Sequence, residues 1–346
     1  MLRIETKGSP RQMGQQLGEA FREWFPQLFN HFAKWLLADL NRFRPVIREI
    51  DALLLCHAPE LHEETLGLAE AVGVEFDLML GYRYFNELRQ RLPPGCSGLF
   101  IAASDRGPLL ARTCDIEPDI GAETQVLWLK RPAQGQATLI ATYLGMTGGV
   151  GINEAGLGLV GSSASAKPPA QPVAGSDQGL PTALFNYLLL NRCHNLAEAR
   201  ALFQQYRPKG KGANQILADA QGHSMLVELI PGREIRCTER RPDRDWQACS
   251  NFCYSADLTP ANNAAYQADA YARYGRIAHQ VDDYLMPRTV AGVKQLFTEI
   301  AQPGMVRPLE HCSFHTAYAF VLELAHRRMH LTPGHPAKHP WLEISL

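Results

Sequence analysis

The chain has no uninterrupted apolar run near the roughly 18 residues of a membrane-crossing helix. It has no surplus of charge of either sign: 34 Lys and Arg stand against 35 Asp and Glu, a net charge of -1. General affinity for nucleic acid or for an anionic bilayer needs a basic surplus or stripe, so neither is expected as a partner. Cysteine is sparse, with eight in 346 residues. That is too few for a disulfide framework, and the opening MLRIETKGSPRQMG lacks the apolar core of a secretory leader. Reduced thiols in a cytoplasmic protein are therefore expected. Internal repeats and low-complexity tracts are missing as well. The apolar content, 46%, is ample for a large core.

What is present divides near residue 95. From Ser9 and Pro10 the sequence reads as helix, with Leu17, Ala20, Phe21, Trp24, Phe25 and Leu28 at helical spacing. Two more helical stretches follow, one broken at Pro59 and closed by Gly73, and PPG at 93–95 ends the block. From Cys96 the period changes. CSGLFIAAS, a DRG turn at 105–107 and PLLARTCDI read as a β-hairpin, followed by strands in TQVLWLKRP and ATLIATYLG. A Gly-rich hairpin turns at Asn153–Gly156, and two helices follow, the second capped by Asn195 with Glu198. A hairpin turning at 219–222, the strand EIRCTE, two helices and a last hairpin (TAYAFVLEL, MHLTP) complete the chain. Segregated antiparallel strands and helices imply an α+β layered body over residues 96–346, with 1–95 as a helical N-terminal segment.

Chemistry concentrates at PPGCSGLF. A Cys opens the first strand directly after a Gly, at the junction of the two halves. A thiol there can attack the carbonyl of the preceding residue, and hydrolysis of the resulting thioester frees the Cys as a new N-terminus. Gly95 suits the strained backbone such an attack needs. The freed α-amine of Cys96, with a reference pKa of about 8, can then act as general base for its own thiol. Asp115 and Arg112 lie on the return strand, where cross-strand pairing brings them beside Cys96. A carboxylate there can orient the new ammonium, and the guanidinium can hold the carboxylate or the substrate. Asn153 and Asn251 carry side-chain amides of the kind that stabilise an oxyanion, although each also reads as an ordinary turn or loop residue.

Other constellations are weaker. HCSFH at 311–315 and HPAKH at 335–339 have metal-like spacing but no supporting helix, and the twelve histidines read as packing or surface residues. GGVGIN lacks the third Gly and the βαβ setting of a dinucleotide site. A papain-like pair needs its Cys on a helix, and Cys96 opens a strand. The aromatics Phe21, Trp24, Phe25, Phe29, Phe32 and Trp35 read as core, with a share in an acyl pocket as the alternative. No metal and no organic cofactor are expected.

In order, KGSPRQMGQQLGEAF, GCSGLF, LLARTCD, VGINEAGLGL and SNFCYS resemble the segments of the penicillin acyltransferase (acyl-CoA:6-aminopenicillanic acid acyltransferase) family, from about residue 6 to about 331. That family belongs to the N-terminal-nucleophile hydrolases and is similar, more distantly, to choloylglycine hydrolases and acid ceramidases. The resemblance implies a four-layer αββα sandwich cut between Gly95 and Cys96, with the N-terminal fragment retained. It implies Cys96 as nucleophile, Asp115 and Arg112 around its amine, and Asn251 with Asn153 for the oxyanion. The substrate would be a small acyl amide or acyl-CoA, the bond a linear amide, and the intermediate an acyl-Cys96. Two departures stand out: Cys96-Ser97-Gly98 replaces a Cys-Thr-Thr start, and Ser313 stands where the fungal enzyme has an Arg, with His315 or Arg307 as substitutes. The competing expectation is an uncleaved, inactive relative that binds an acyl or peptide ligand in the same cleft. Hydrolysis against transfer, and assembly into a homo-oligomer, stay open.

Overall fold

The computed structural model describes residues 1–26, 34, 36–38, 40–89, 95–116, 124–164, 166, 179–210, 212–262, 264–299 and 314–346. The first element is a strand, β1 (Leu2–Gly8). Ile4 and Thr6 turn inward while Arg3, Glu5 and Lys7 face out, the period of two that a half-buried strand requires. Ser9 then caps α1 (Pro10–Phe21) through a reciprocal bond pair with Gln12, and Pro10 occupies the first turn. Next come α2 (Leu40–His57), α3 (Pro59–Val72), α4 (Phe76–Arg83) and α5 (Phe85–Arg89). Gly73, at φ 78°, supplies the left-handed residue that stops α3.

β2 (Cys96–Ile101) and β3 (Leu109–Ile116) form the expected hairpin, followed by β4 (Gln125–Pro132), β5 (Thr138–Tyr143), β6 (Val150–Asn153) and β7 (Gly158–Ser163). Helices α6 (Thr182–Arg192) and α7 (Leu196–Gln205) precede β8 (Ala213–Ala218), β9 (Ser224–Leu229), β10 (Arg236–Glu239) and β11 (Trp246–Cys249). α8 (Ala264–Asp282) and α9 (Val290–Leu296) lead to β12 (His315–Glu323), β13 (Arg328–Leu331) and β14 (Leu342–Ser345).

The strands make an eight-stranded sheet in the order β1-β4-β5-β6-β7-β8-β9-β10 and a six-stranded sheet in the order β11-β2-β3-β12-β13-β14. All pairings in these two sheets are antiparallel except β1 with β4. The sheets face each other through β2, β3 and β11 on one side and β7, β8 and β9 on the other. Alternation along the strands sorts the two faces. Phe100, Leu110, Phe320, Val160 and Ile216 fill the space between the sheets. Leu99, Ile101, Ala111, Val321 and Trp246 pack outward against Ile277, Val281 and Phe297 in and beside α8 and α9. α6 lies on β6 and β7 across the other sheet. The body is thus the expected αββα sandwich.

The N-terminal segment, read as mostly helical, also holds a strand. β1 is an edge strand of the large sheet and ties this segment to β4. A second tie is ionic and fully buried. Glu64 of α3 meets Arg83 of α4 and Lys130 of β4, each at 2.7 Å. Burial alone would push the Glu64 carboxyl up, but the two cations overcome it and hold it below its usual range. Lys130 also sits over the rings of Trp128 and Tyr187. Of the aromatic run, Phe21 and Phe25 are core and Trp24 is 37% exposed. Phe29, Phe32 and Trp35 lie outside the described residues.

Candidate active site

Cys96 begins β2 on the face between the sheets, and the register pairs it with Cys114 on β3. Antiparallel pairing sets Arg112 opposite Gly98 on the same face, and the Arg112 Nη2 donates to Cys96 Sγ at 3.2 Å. The same guanidinium holds the Gly161 carbonyl at 2.8 Å and the Tyr318 hydroxyl at 3.3 Å. None of these partners is a carboxylate, so much of its charge is left for the sulfur. The Cys96 thiol is lowered well below its ordinary value. The Cys114 S–H is the largest cause, Arg112 and the Asp115 backbone N–H add to it, and burial opposes it. Cys114 moves up, first because it donates to Cys96 and then because it is buried.

Asp115 is buried, accepts a 2.7 Å hydrogen bond from Thr316 on β12, and packs against Gly95. Gly95 has φ 98°, and a Cβ there would run into the Asp115 carboxylate, 2.9 Å from its Cγ. Both facts demand glycine immediately before the nucleophile. The Cys96 backbone N–H points to Asn251 Oδ1 at 3.3 Å, just beyond the end of β11. Asn251 is thus at the site, with its acceptor end toward the nucleophile's nitrogen. Its Nδ2 donates to Ser163 O at 2.8 Å and to Ser163 Oγ at 3.1 Å.

Asn153 stands apart from Cys96 and the residues around it. Its Nδ2 donates to the carbonyls of Leu190 and Cys193, at 3.1 and 2.8 Å, and its Oδ1 accepts from Leu157 N at 2.9 Å. Both donors tie the β6–β7 turn to the end of α6, and neither reaches Cys96, whereas Asn251 meets the Cys96 nitrogen directly.

The sequence reading missed Arg273, on α8. Its Nη1 grips the Cys96 carbonyl and the Ser97 Oγ, each at 2.7 Å, and its Nη2 donates to Asn251 Oδ1 at 2.7 Å. It is 3% exposed and also meets Asp269. The signal was available: Ala270, Arg273, Ile277 and Val281 form one buried stripe, and an arginine does not belong on such a stripe without a task. Ser313, Arg307 and His311 lie outside the described residues.

Cys96, Arg112, Cys114, Asp115 and Tyr318 line one side of a cavity of about 170 Å³. Ala141, Tyr143, Val150 and Ser163 of the large sheet face them, and Arg83, Tyr84 and Glu87 of the N-terminal segment close a third wall. That segment also shapes the loop after β5, because Arg83 O accepts from Thr147 N at 3.1 Å and the Tyr82 hydroxyl donates to Leu144 O at 2.6 Å. Among the described residues, the cavity aromatic from this half is Tyr84 and not Phe21, Trp24 or Phe25. Among the described residues, no group of three His, Cys, Asp or Glu converges as a metal site. His335 Nδ1 instead accepts from Ala337 N within its own turn.

The family model for acyl-coenzyme A:6-aminopenicillanic acid acyl-transferase matches residues 102–338. The chain belongs to this family. The match begins just after β2, so the placement of Cys96 rests on the geometry above. Among solved structures, the chain is similar to penicillin V acylase from Agrobacterium tumefaciens at 16% identity, TM-score 0.49, over 72% of this chain and 86% of that one. It is also similar to a mutant of conjugated bile acid hydrolase from Clostridium perfringens at 14% identity, TM-score 0.48, over 72% of this chain and 92% of that one. No protein of curated function matches the chain. Among the described residues, no helix of this family member is long and apolar enough to cross a membrane.

Proposed function

We propose that the chain is a self-processing amidohydrolase or acyltransferase with Cys96 as its N-terminal nucleophile, acting on linear amides of small acyl groups. One observation carries the reading: a thiol with an Arg112 guanidinium at 3.2 Å and a strongly favoured thiolate opens a strand directly after a glycine that the Asp115 carboxylate allows no side chain.

Maturation comes first. Before the cut there is no free amine to take the thiol proton, so the lowered pKa given by Cys114 and Arg112 matters most here. The Cys96 sulfur attacks the Gly95 carbonyl, the C–N bond breaks as the acyl group passes to sulfur, and water hydrolyses the thioester. Asn251 Oδ1 and Asp115 then flank the liberated amine. Arg273 fixes both Asn251 and the Cys96 carbonyl, so the amine keeps its direction.

In turnover the amine accepts the thiol proton, and the thiolate attacks the substrate carbonyl. Asn251 Nδ2 serves the oxyanion, giving up the longer of its two bonds to Ser163. The acyl-Cys96 intermediate passes its acyl group to water or to an amine. The N-terminal fragment stays in place after the cut, held by β1 and by the Glu64–Lys130 pair, and forms part of the cavity wall.

The test is a denaturing gel of the purified protein, then a panel of N-acyl amino acids, penicillins and bile-salt amides. Two bands should appear, the larger beginning Cys-Ser-Gly-Leu-Phe. A single band that persists on incubation, with no turnover on the panel, sinks the proposal.

A further inference from the structure

Cys114 has no part in the cycle above beyond its hydrogen bond, yet it stands directly opposite the nucleophile. The Cys96 backbone N–H and carbonyl point to Asn251 and Arg273, away from β3, while the next N–H, that of Ser97, turns to Thr113 on β3. Cys96 and Cys114 therefore form a pair with no ladder hydrogen bonds between them. Such pairs have Cα atoms roughly 4.5 Å apart and side chains at their closest. Disulfides span Cα separations of roughly 4.4–6.8 Å, so the pair lies at the short end of that range. Both thiols line the same cavity, open to small molecules.

We infer that Cys114 is a resolving thiol, which converts Cys96 to a reversible cross-strand disulfide when a hydroperoxide enters the cavity. The Cys96 thiolate attacks one peroxide oxygen, the O–O bond breaks, and Cys96 becomes a sulfenic acid as hydroxide leaves. The Cys114 sulfur then attacks the Cys96 sulfur, the S–O bond breaks, and the second departing hydroxide takes the Cys114 proton. Two thiols and one hydrogen peroxide thus give one disulfide and two waters. A dithiol reverses the step by exchange.

The order of events follows from the charges. While Cys96 is a thiolate, its charge and hydrogen bond hold Cys114 protonated. Once Cys96 is oxidised that hold is gone; burial still opposes the Cys114 thiolate, and the Arg112 guanidinium favours it. The competing thiol is Cys249 on β11, but it stands opposite Gly98 rather than Cys96. Burial pushes it up to about 12. The disulfide would silence the nucleophile and shield it from irreversible oxidation.

This inference rests on Cys96 as the reactive thiolate of the proposed enzyme, but its readout is covalent and separate from turnover. The full-length or matured protein is treated with one equivalent of hydrogen peroxide, alkylated, digested with trypsin without reductant and weighed. The expected result is a Cys96–Cys114 linked peptide lacking two hydrogens, which disappears on dithiothreitol treatment as Cys96 alkylation returns. In Cys114→Ala one equivalent should stop Cys96 at the sulfenic acid, and a second should carry it to the sulfinic acid, a gain of two oxygens that dithiothreitol does not undo. If that variant does not fold, the wild-type peptide map decides alone. Cys96 found as sulfinic acid in the wild type, linked to Cys249, or unchanged overturns the inference. A linked pair in a protein without turnover upholds it and removes the functional reading instead.

Discussion

Among the described residues, one group of buried cations and one half-buried arginine do different things. In the N-terminal half, Arg83 and Lys130 converge on the Glu64 carboxylate, at 2.7 Å each. At the head of β2, Arg112 meets a carbonyl, a phenol and a thiol. A carboxylate absorbs the field of the first pair, so that cluster joins α3 and α4 to β4 and activates nothing. With no carboxylate in its hydrogen bonds, Arg112 favours the thiolate of the Cys96 sulfur beside it. Arg273 stands between the two cases. It is tied to Asp269, and it spends its remaining donors on the Cys96 carbonyl and the Asn251 amide.

The largest effect tests whether the sulfur is the point of the second cluster. Cys96→Ala should abolish both the chain cut and turnover, leaving one full-length band. A variant still cut at the same bond breaks the comparison at its root. Next is the direction of the field. Arg112→Gln should cut single-turnover acylation by roughly 100-fold, on the scale of losing a preorganised electrostatic contact. Iodoacetamide reaction with Cys96 checks the sign. A thiol lowered below its ordinary value is a thiolate, and reacts, at lower pH than an ordinary cysteine; without Arg112 burial gains weight, so the midpoint should move to higher pH. An unmoved midpoint would separate Arg112 from the nucleophile.

Glu64→Gln asks the converse of the first cluster. Leaving Arg83 and Lys130 without their anion should cost about 3–5 kcal/mol in urea unfolding. The alkylation midpoint of Cys96 should stay in place. Gly95→Ala should slow the chain cut in a time course, since the positive φ costs about 1–2 kcal/mol before the Asp115 contact is counted. The smallest effect is for Asn153→Ala. It should lose about 1–3 kcal/mol of stability, because the buried Leu190 carbonyl loses its Asn153 donor, whereas Cys193 O keeps Gln136 Nε2, while kcat of the folded enzyme holds. A selective loss of kcat would return Asn153 to the catalytic machinery.

Most strands and helices were legible because local patterns announce them. The change from helical spacing to alternation at Cys96, the Ser9 cap and the Asn195 cap are all local features. β1 was passed over although its alternation is clear, since seven residues ahead of a strong helix signal carry little weight. The hairpin placed Arg112 and Asp115 beside Cys96 by simple pairing. The two asparagines show the limit. Both have the same amide, and only the carbonyls that α6 offers to Asn153, and the guanidinium that α8 offers to Asn251, separate a turn tie from a site residue.

By itself the sequence determined the candidate nucleophile, the glycine before it and the hairpin that returns Arg112, Cys114 and Asp115 to its side. These relations span at most some twenty residues, and alternation with turn chemistry settles them. The tertiary structure decided what Asn251 does, brought Arg273 to the site and made the N-terminal segment a wall of the cavity. Those contacts join residues more than sixty positions apart, or depend on which end of an amide meets a donor. They exist only once two sheets and two helical layers have closed on one another.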